Sequence, residues 1–333
     1  MARVADLCDS FRLACERAAI ASDAWRGKGD GKAADGAAVE AMRSTFDDVA
    51  FDGRVAIGEG ERDDAPMLWI GEQLGNMVGK EGALKVDIAV DPLECTNNCA
   101  SNSDNAIAVL AAAPRGALLH APDCYMDKIA GGIELVGEIS LDGGVAWNLE
   151  QTAAALDKSV SEVRVVALDR ERHSDLFSQI RATGARLHLM GDGDISAAIW
   201  AAEPSGPFDL LMGIGAAPEG VITATALRGL GGVFEGRLKY RDAADRERAS
   251  GMVGDDLDRD RERASGMVGD DLDRLWKSED LCSSTDAVFV ATGICPGYLP
   301  GVEDLGDGKV RTTSQVIDVA SGEVSRIETI SMR

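Results

Sequence analysis

The chain has 333 residues, 45% hydrophobic and only 5% aromatic, enough for one large or two coupled cores built mainly from Ala, Val, Leu and Ile. Its 57 acidic residues against 34 basic ones give a formal net charge of −23, which argues against nucleic acid and membrane surfaces as partners. The opening MARVADLCDSFRLACERAA lacks a secretory pattern, no apolar run reaches membrane-span length, and seven scattered cysteines form no CxxC pair, so the expectation is a cytoplasmic protein with free thiols.

Val4, Leu7, Cys8, Phe11, Cys15 and Ala18 recur at helical spacing and predict an opening helix ending near Trp25. GKGDGKAADG (27–36) interrupts the pattern, and Val39, Met42, Phe46 and Val49 predict a second helix. RVAI (54–57) reads as a short buried strand running into GEGERDD, after which Asp64 and Pro66 have the cap and first-turn proline of a helix start. KVDIAV (85–90) is a strand with DPLECTNN at its end; AIAVLAAA (106–113), IELVGEI (133–139) and VRVVAL (163–168) add further strands. A helix over about 173–182, a strand RLHLM (186–190), a GDGD turn and a helix ISAAIWAA follow. FDLLMGIG (208–215) then leads into a helix over about 219–229. RTTSQVIDVASGEVSRIETI predicts two strands joined across Ser321–Gly322. The alternation predicts a mixed α and β chain of layered architecture. DRERASGMVGDDLDR occurs at 245–259 and again at 260–274, and this tandem repeat reads as an exposed helix–turn excursion.

Chemistry gathers at strand ends and glycine-rich segments that carry Asp35, Glu59, Asp91, Glu94 and Glu219. Asp91 emerges as the strand 85–90 enters a turn, Pro92 restricts the backbone, Glu94 returns toward the same mouth, and Thr96 adds a hydroxyl. An all-oxygen set suits Mg²⁺ or Mn²⁺, whereas three dispersed histidines and unpaired cysteines give zinc little support.

AADGAAVEAMR, AIGEGERDDAPMLWIGEQLG, VDIAVDPLECTNN, LLHAPDCYMDKI, GDGDISAAI and GIGAAPEGVITATALR occur in the order found in class II fructose-1,6-bisphosphatases. That group includes the dual fructose-1,6-/sedoheptulose-1,7-bisphosphatases and belongs to the inositol-monophosphatase-like phosphatases. The resemblance is close over about 35–240 and implies a layered αβαβα sugar-phosphatase fold. By motif position it implies that Asp35, Glu59, Asp91, Glu94 and Glu219 hold the metal, and that Thr96 orients the attacking water. It makes Tyr125 a substrate contact, Arg170 and Arg172 the grip on the remote phosphate, and Asp192 and Asp194 residues facing the sugar. It implies a metal-binding domain over 1–158 and a sugar-phosphate domain over 159–333, with 212–230 returning Glu219 to the metal. The expected partners are a sugar bisphosphate and further copies of the chain in a dimer or tetramer.

The chain departs from the family pattern at four places, one of them the segment NNCASNSDN after Thr96, which is more polar than the family's. Cys95 stands where the family has Gly in DPLEGT. Lys32 sits one place later than the family's early-loop lysine and takes the phosphate contact in this reading. ATGICPGYLPGV (291–302) replaces ATGxTDG. The expected reaction is hydrolysis of the 1-phosphate of fructose 1,6-bisphosphate, with sedoheptulose 1,7-bisphosphate as a second substrate. The rivals are a phosphatase for small esters such as inositol monophosphate and a silent sugar-phosphate-binding protein.

Overall fold

The computed structural model describes residues 2–60, 67–251 and 272–333, so the expected helix start at 64–66 and most of the tandem repeat lie outside the described residues. The chain forms two compact units, Met1–Leu118 with Ser284–Arg333, and Leu119–Ser283. A boundary at 158 would fall inside the second unit, because the last strands return to complete the sheet that the first residues begin.

The first unit opens with α1 (Cys8–Asp23) and α2 (Gly31–Phe46). Its sheet contains β1 (Asp52–Ile57), β2 (Gln73–Leu74), β3 (Lys85–Glu94) and β4 (Ala106–Pro114), with a short helix α3 (Thr96–Ser101) between the last two. The late strands β11 (Val288–Cys295), β12 (Glu303–Gly306), β13 (Lys309–Asp318) and β14 (Glu323–Met332) join them in the order β12-β13-β11-β4-β3-β1-β2, with β14 along β13. Phe11, Ala14, Cys15 and Ala18 of α1 and Ala38, Met42 and Phe46 of α2 pack on Val55, Ile88, Val90, Leu110 and Val290 of the strands. Phe11 meets Phe46 and Phe51 edge-on, with Phe11 and Phe51 centroids 5.9 Å apart, and Phe46 lies tilted against Phe51.

The second unit contains β5 (Tyr125–Gly131), β6 (Arg164–Leu168), β7 (Arg186–Met190), β8 (Leu210–Ala216), β9 (Val233–Lys239) and β10 (Leu275–Lys277), in the sheet order β10-β9-β5-β8-β6-β7. α4 (Val145–Ala155) and α5 (Ser174–Thr183) cover one face through Leu149, Ala153 and Ile180, which pack on Ile129, Val165 and Met212. α6 (Asp194–Ala202) and α7 (Ala217–Leu230) lie on the other, and α8 (Ala243–Gly251) follows β9. No described helix is long and apolar enough to cross a membrane.

Most expected elements are present, and two readings need correction. IELVGEI is a 3-10 turn at Ile133–Leu135 rather than a strand; Ile133 and Val136 are 59% and 54% exposed, and Gly137 at φ 83° turns the chain. The interruption at 27–36 ends at Asp30, whose side chain accepts a hydrogen bond from the Ala33 N–H at 3.0 Å and starts α2 four residues before Asp35 is reached. The strands β2, β5, β9, β10, β11 and β12 and the helix α4 carry no matching expectation.

Candidate active site

In the first unit four acidic side chains converge on the end of the sheet. Glu59 leaves β1 after Gly58, where a Cβ would lie 2.0 Å from the Leu68 carbonyl oxygen, so only glycine lets the two segments approach. The Glu59 N–H then donates to that same Leu68 carbonyl at 3.0 Å and fixes the loop. Asp91 and Glu94 lie on β3, where the pairing with β4 shifts register between them. Pro92 has no N–H to give the ladder, and the shifted register lets both side chains reach one side, with carboxylate oxygens within 4.8 Å of each other. Asp91 Oδ1 accepts from the Leu93 N–H at 3.0 Å.

Asp35 comes from α2, and Gly31 at the start of that helix lets it approach α3, since a Cβ there would sit 3.1 Å from Thr96 Cγ2. Burial raises Asp35 to about 6, with the charge of Asp91 adding to it. Burial raises Glu59 to about 8, with Asp35 and Asp91 adding further. Desolvated carboxylates that repel one another are the electrostatic mark of a cation site, and the donors are oxygen throughout. Thr96 Oγ1 donates to the Leu93 carbonyl at 3.1 Å, which fixes the hydroxyl and keeps its lone pairs for another donor. Lys32 is exposed in the first turn of α2, three residues before Asp35.

Cys95 links the acidic strand to α3 with φ 68° and ψ 52°, the left-handed conformation that glycine adopts without cost. The turn therefore survives the cysteine, as its small size suggests, with the thiol buried and 3.7 Å from Glu94 Oε1.

The second unit gathers the basic candidates. β6 and β7 run parallel, so the segments leaving them lie side by side, and the Asp169 N–H donates to the Met190 carbonyl at 2.7 Å. Arg170 bridges both, with Nη2 3.1 Å from Asp192 Oδ1 and Nη1 donating to the Gly191 carbonyl. Burial raises the Asp192 carboxyl, while Arg170 opposes the shift. Arg172 donates from Nε and Nη2 to the Ile214 carbonyl at 3.2 and 2.7 Å and lies 4.6 Å from the Tyr125 ring centroid. Asp194 is buried and accepts from Lys128 Nζ at 2.6 Å. Glu219 lies in the first turn of α7, where the helix N-terminus favours a carboxylate, and its carbonyl accepts from Thr223 Oγ1 at 2.7 Å.

Two residues that sequence reasoning passed over organise this region. Lys128, 1% exposed, holds Asp194 from the middle of β5. His173 takes the Ile214 N–H on Nε2 at 2.7 Å, so Nδ1 carries the proton to the Leu168 carbonyl, also at 2.7 Å. Burial lowers His173, which keeps the neutral ring this arrangement needs. Ile214 is thus gripped through its N–H by His173 and through its carbonyl by Arg172. Adjacency of His173 to the Arg170–Arg172 segment was the one available signal; a lysine amid β-strand residues gives none.

The family model for bacterial fructose-1,6-bisphosphatase, glpX-encoded, matches residues 6–331. A D-fructose 1,6-bisphosphatase class 2/sedoheptulose 1,7-bisphosphatase of Synechococcus sp. (strain JA-3-3Ab) is 44% identical over 327 residues, covering 96% of this chain and 93% of the relative. The enzyme of the same description from Synechocystis sp. (strain ATCC 27184 / PCC 6803 / Kazusa) is 41% identical over 326 residues, covering 96% and 94%. One of two from Acaryochloris marina (strain MBIC 11017) is 43% identical over 326 residues, covering 95% and 92%.

Proposed function

This chain belongs to the glpX-encoded bacterial fructose-1,6-bisphosphatase family, and from that premise we infer that it hydrolyses fructose 1,6-bisphosphate in a divalent-metal-dependent reaction. The match over almost the whole chain carries this reading. The acidic cluster supports it independently, because a bound cation would relieve the burial and mutual repulsion that raise Asp35 and Glu59.

The finer reading is that the 1-phosphate is removed and that sedoheptulose 1,7-bisphosphate is a second substrate. Asp35, Glu59, Asp91 and Glu94 hold Mg²⁺ or Mn²⁺, with Glu219 as the fifth carboxylate by motif position. A bound divalent cation supplies charge neutralisation for the phosphate dianion and lowers the pKa of water. Thr96 accepts a hydrogen bond from the attacking water, since its own proton is committed to the Leu93 carbonyl. Lys32 adds positive charge near the reacting phosphate. Tyr125, Arg170 and Arg172 grip the phosphate that does not react, and binding energy gained there positions the one that does. Asp192 and Asp194 accept hydrogen bonds from sugar hydroxyls. The expected setting is the cytoplasm, and the expected assembly a dimer or tetramer.

Phosphate release from fructose 1,6-bisphosphate with Mg²⁺, Mn²⁺ or EDTA tests the reaction, with sedoheptulose 1,7-bisphosphate and inositol 1-phosphate in parallel. Metal-dependent release from the bisphosphates is expected. Preference for inositol 1-phosphate would replace the substrate, and folded, metal-loaded protein that binds the bisphosphate without releasing phosphate would leave a silent binding protein.

A further inference from the structure

We propose that Arg241 belongs to the subsite for the unreacting phosphate and is held there by Asp245. The inference rests on the reading of Tyr125 and Arg172 given above and adds a third side chain to them. Arg241 follows β9, whose register sets Lys239 opposite Tyr125. Its guanidinium carbon lies 5.9 Å from the Tyr125 ring centroid, and that of Arg172 lies 4.6 Å from it.

Asp245, on α8 and 1% exposed, fixes Arg241 through three hydrogen bonds: Nε at 3.0 Å, Nη2 at 2.8 Å and the backbone N–H at 3.0 Å. The bidentate pairing orients the planar fork and leaves both protons of Nη1 available. Arg172 is fixed through the same two nitrogens, by the Ile214 carbonyl, and likewise keeps Nη1. Both guanidiniums lie against the ring of Tyr125, whose hydroxyl makes no hydrogen bond among the described residues. Two oriented guanidiniums beside a phenol form a donor set that matches the oxygens of a phosphate monoester. Asp123 and Asp245 are the carboxylates acting on Arg241; the second is already matched by the fork it binds.

The test compares the full-length parent with Arg241→Met and with Arg241→Gln, which keeps an amide donor for the buried Asp245. Fructose 6-phosphate binding is measured by calorimetry, which needs no turnover. Steady-state rates follow on fructose 1,6-bisphosphate and on fructose 1-phosphate, which lacks the remote phosphate. Both variants should bind fructose 6-phosphate about tenfold more weakly. Preference for the bisphosphate over fructose 1-phosphate, read as the ratio of kcat/KM values, should fall about tenfold. Arg241→Lys should recover part of the affinity. Unchanged affinity for fructose 6-phosphate in a folded variant would overturn the assignment, as would equal loss on both substrates. If the parent turned over neither ester, the functional reading would fail, while the calorimetric comparison would still decide the role of Arg241.

Discussion

Arg246, the second residue of the first repeat copy, pairs with Asp273, the fourteenth of the second, through two hydrogen bonds of 2.6 Å. Tyr240 anchors the same end by donating to the Leu272 carbonyl at 2.8 Å. Removal of residues 252–266 leaves one uninterrupted copy and retains every one of these anchors. The shortened protein should unfold within about 1 kcal/mol of the parent, since closure entropy varies slowly with loop length. It should also keep its phosphatase activity. Denaturant unfolding and phosphate release check this; a loss of several kcal/mol would show that the extra copy packs on the fold.

The raised carboxylates set a pH dependence. Asp35 at about 6 and Glu59 at about 8 lie above their unfolded values. Below the unfolded values, near pH 4, both states are protonated and no penalty exists. As pH rises toward about 8 the unfolded chain releases its protons first, so the metal-free fold loses stability through this window and levels off above it. Glu59→Gln removes one of these groups, so its melting point in EDTA should exceed that of the parent by a margin that grows with pH. The same variant should lose at least about a hundredfold in phosphate release. A margin that shrinks with pH would contradict the assignment, and added Mg²⁺ or Mn²⁺ should narrow it by stabilising the parent.

Lys128→Met tests the buried pair. Asp194 would be left desolvated without its 2.6 Å partner, at a cost of about 3–5 kcal/mol. Adding Asp194→Leu should recover much of that loss, because no lone charge then remains buried. Chemical denaturation of both variants provides the comparison, and a double variant as unstable as the single one would count against charge burial as the cause.

Position 95 should tolerate glycine and reject branching. Cys95→Gly relieves left-handed strain of about 1–2 kcal/mol but loses a small buried side chain and adds freedom to the unfolded state. The net change should stay within about 1 kcal/mol. Cys95→Val should cost more than about 2 kcal/mol, because a β-branched residue is a poor occupant of that backbone region. Equal stability of the two variants would show that the turn relaxes.

The sequence made the acidic side of the site legible because its residues sit at the ends of apolar strands, where Asp91 and Glu94 follow KVDIAV and Glu59 follows RVAI. The departure at Cys95 was legible for the same reason, since a motif glycine signals a backbone requirement, and the positive φ bears that out. β5 was hidden because Asp127 and Lys128 interrupt its apolar pattern, although both flanking strands pair with it. IELVGEI misled in the opposite direction, because its apolar residues do not share a strand face: Leu135 and Ile139 are buried while Ile133 and Val136 face solvent. Arg241 and Asp245 resembled any exposed charged pair until β9 brought Arg241 beside Tyr125.

The division of the chain also has a history in time. β4 lies between β3 and β11 in the finished sheet, yet β11 begins only at Val288, beyond the whole second unit. At about 5–20 residues per second, the ribosome needs on the order of ten seconds or more to make the intervening stretch. Throughout that interval the apolar strand AIAVLAAAP has one unpaired edge, the kind of surface that recruits other chains. The second unit is contiguous and can close as soon as Ser283 emerges. Vulnerability to aggregation is therefore greatest in the nascent chain, before the last fifty residues arrive to cover β4.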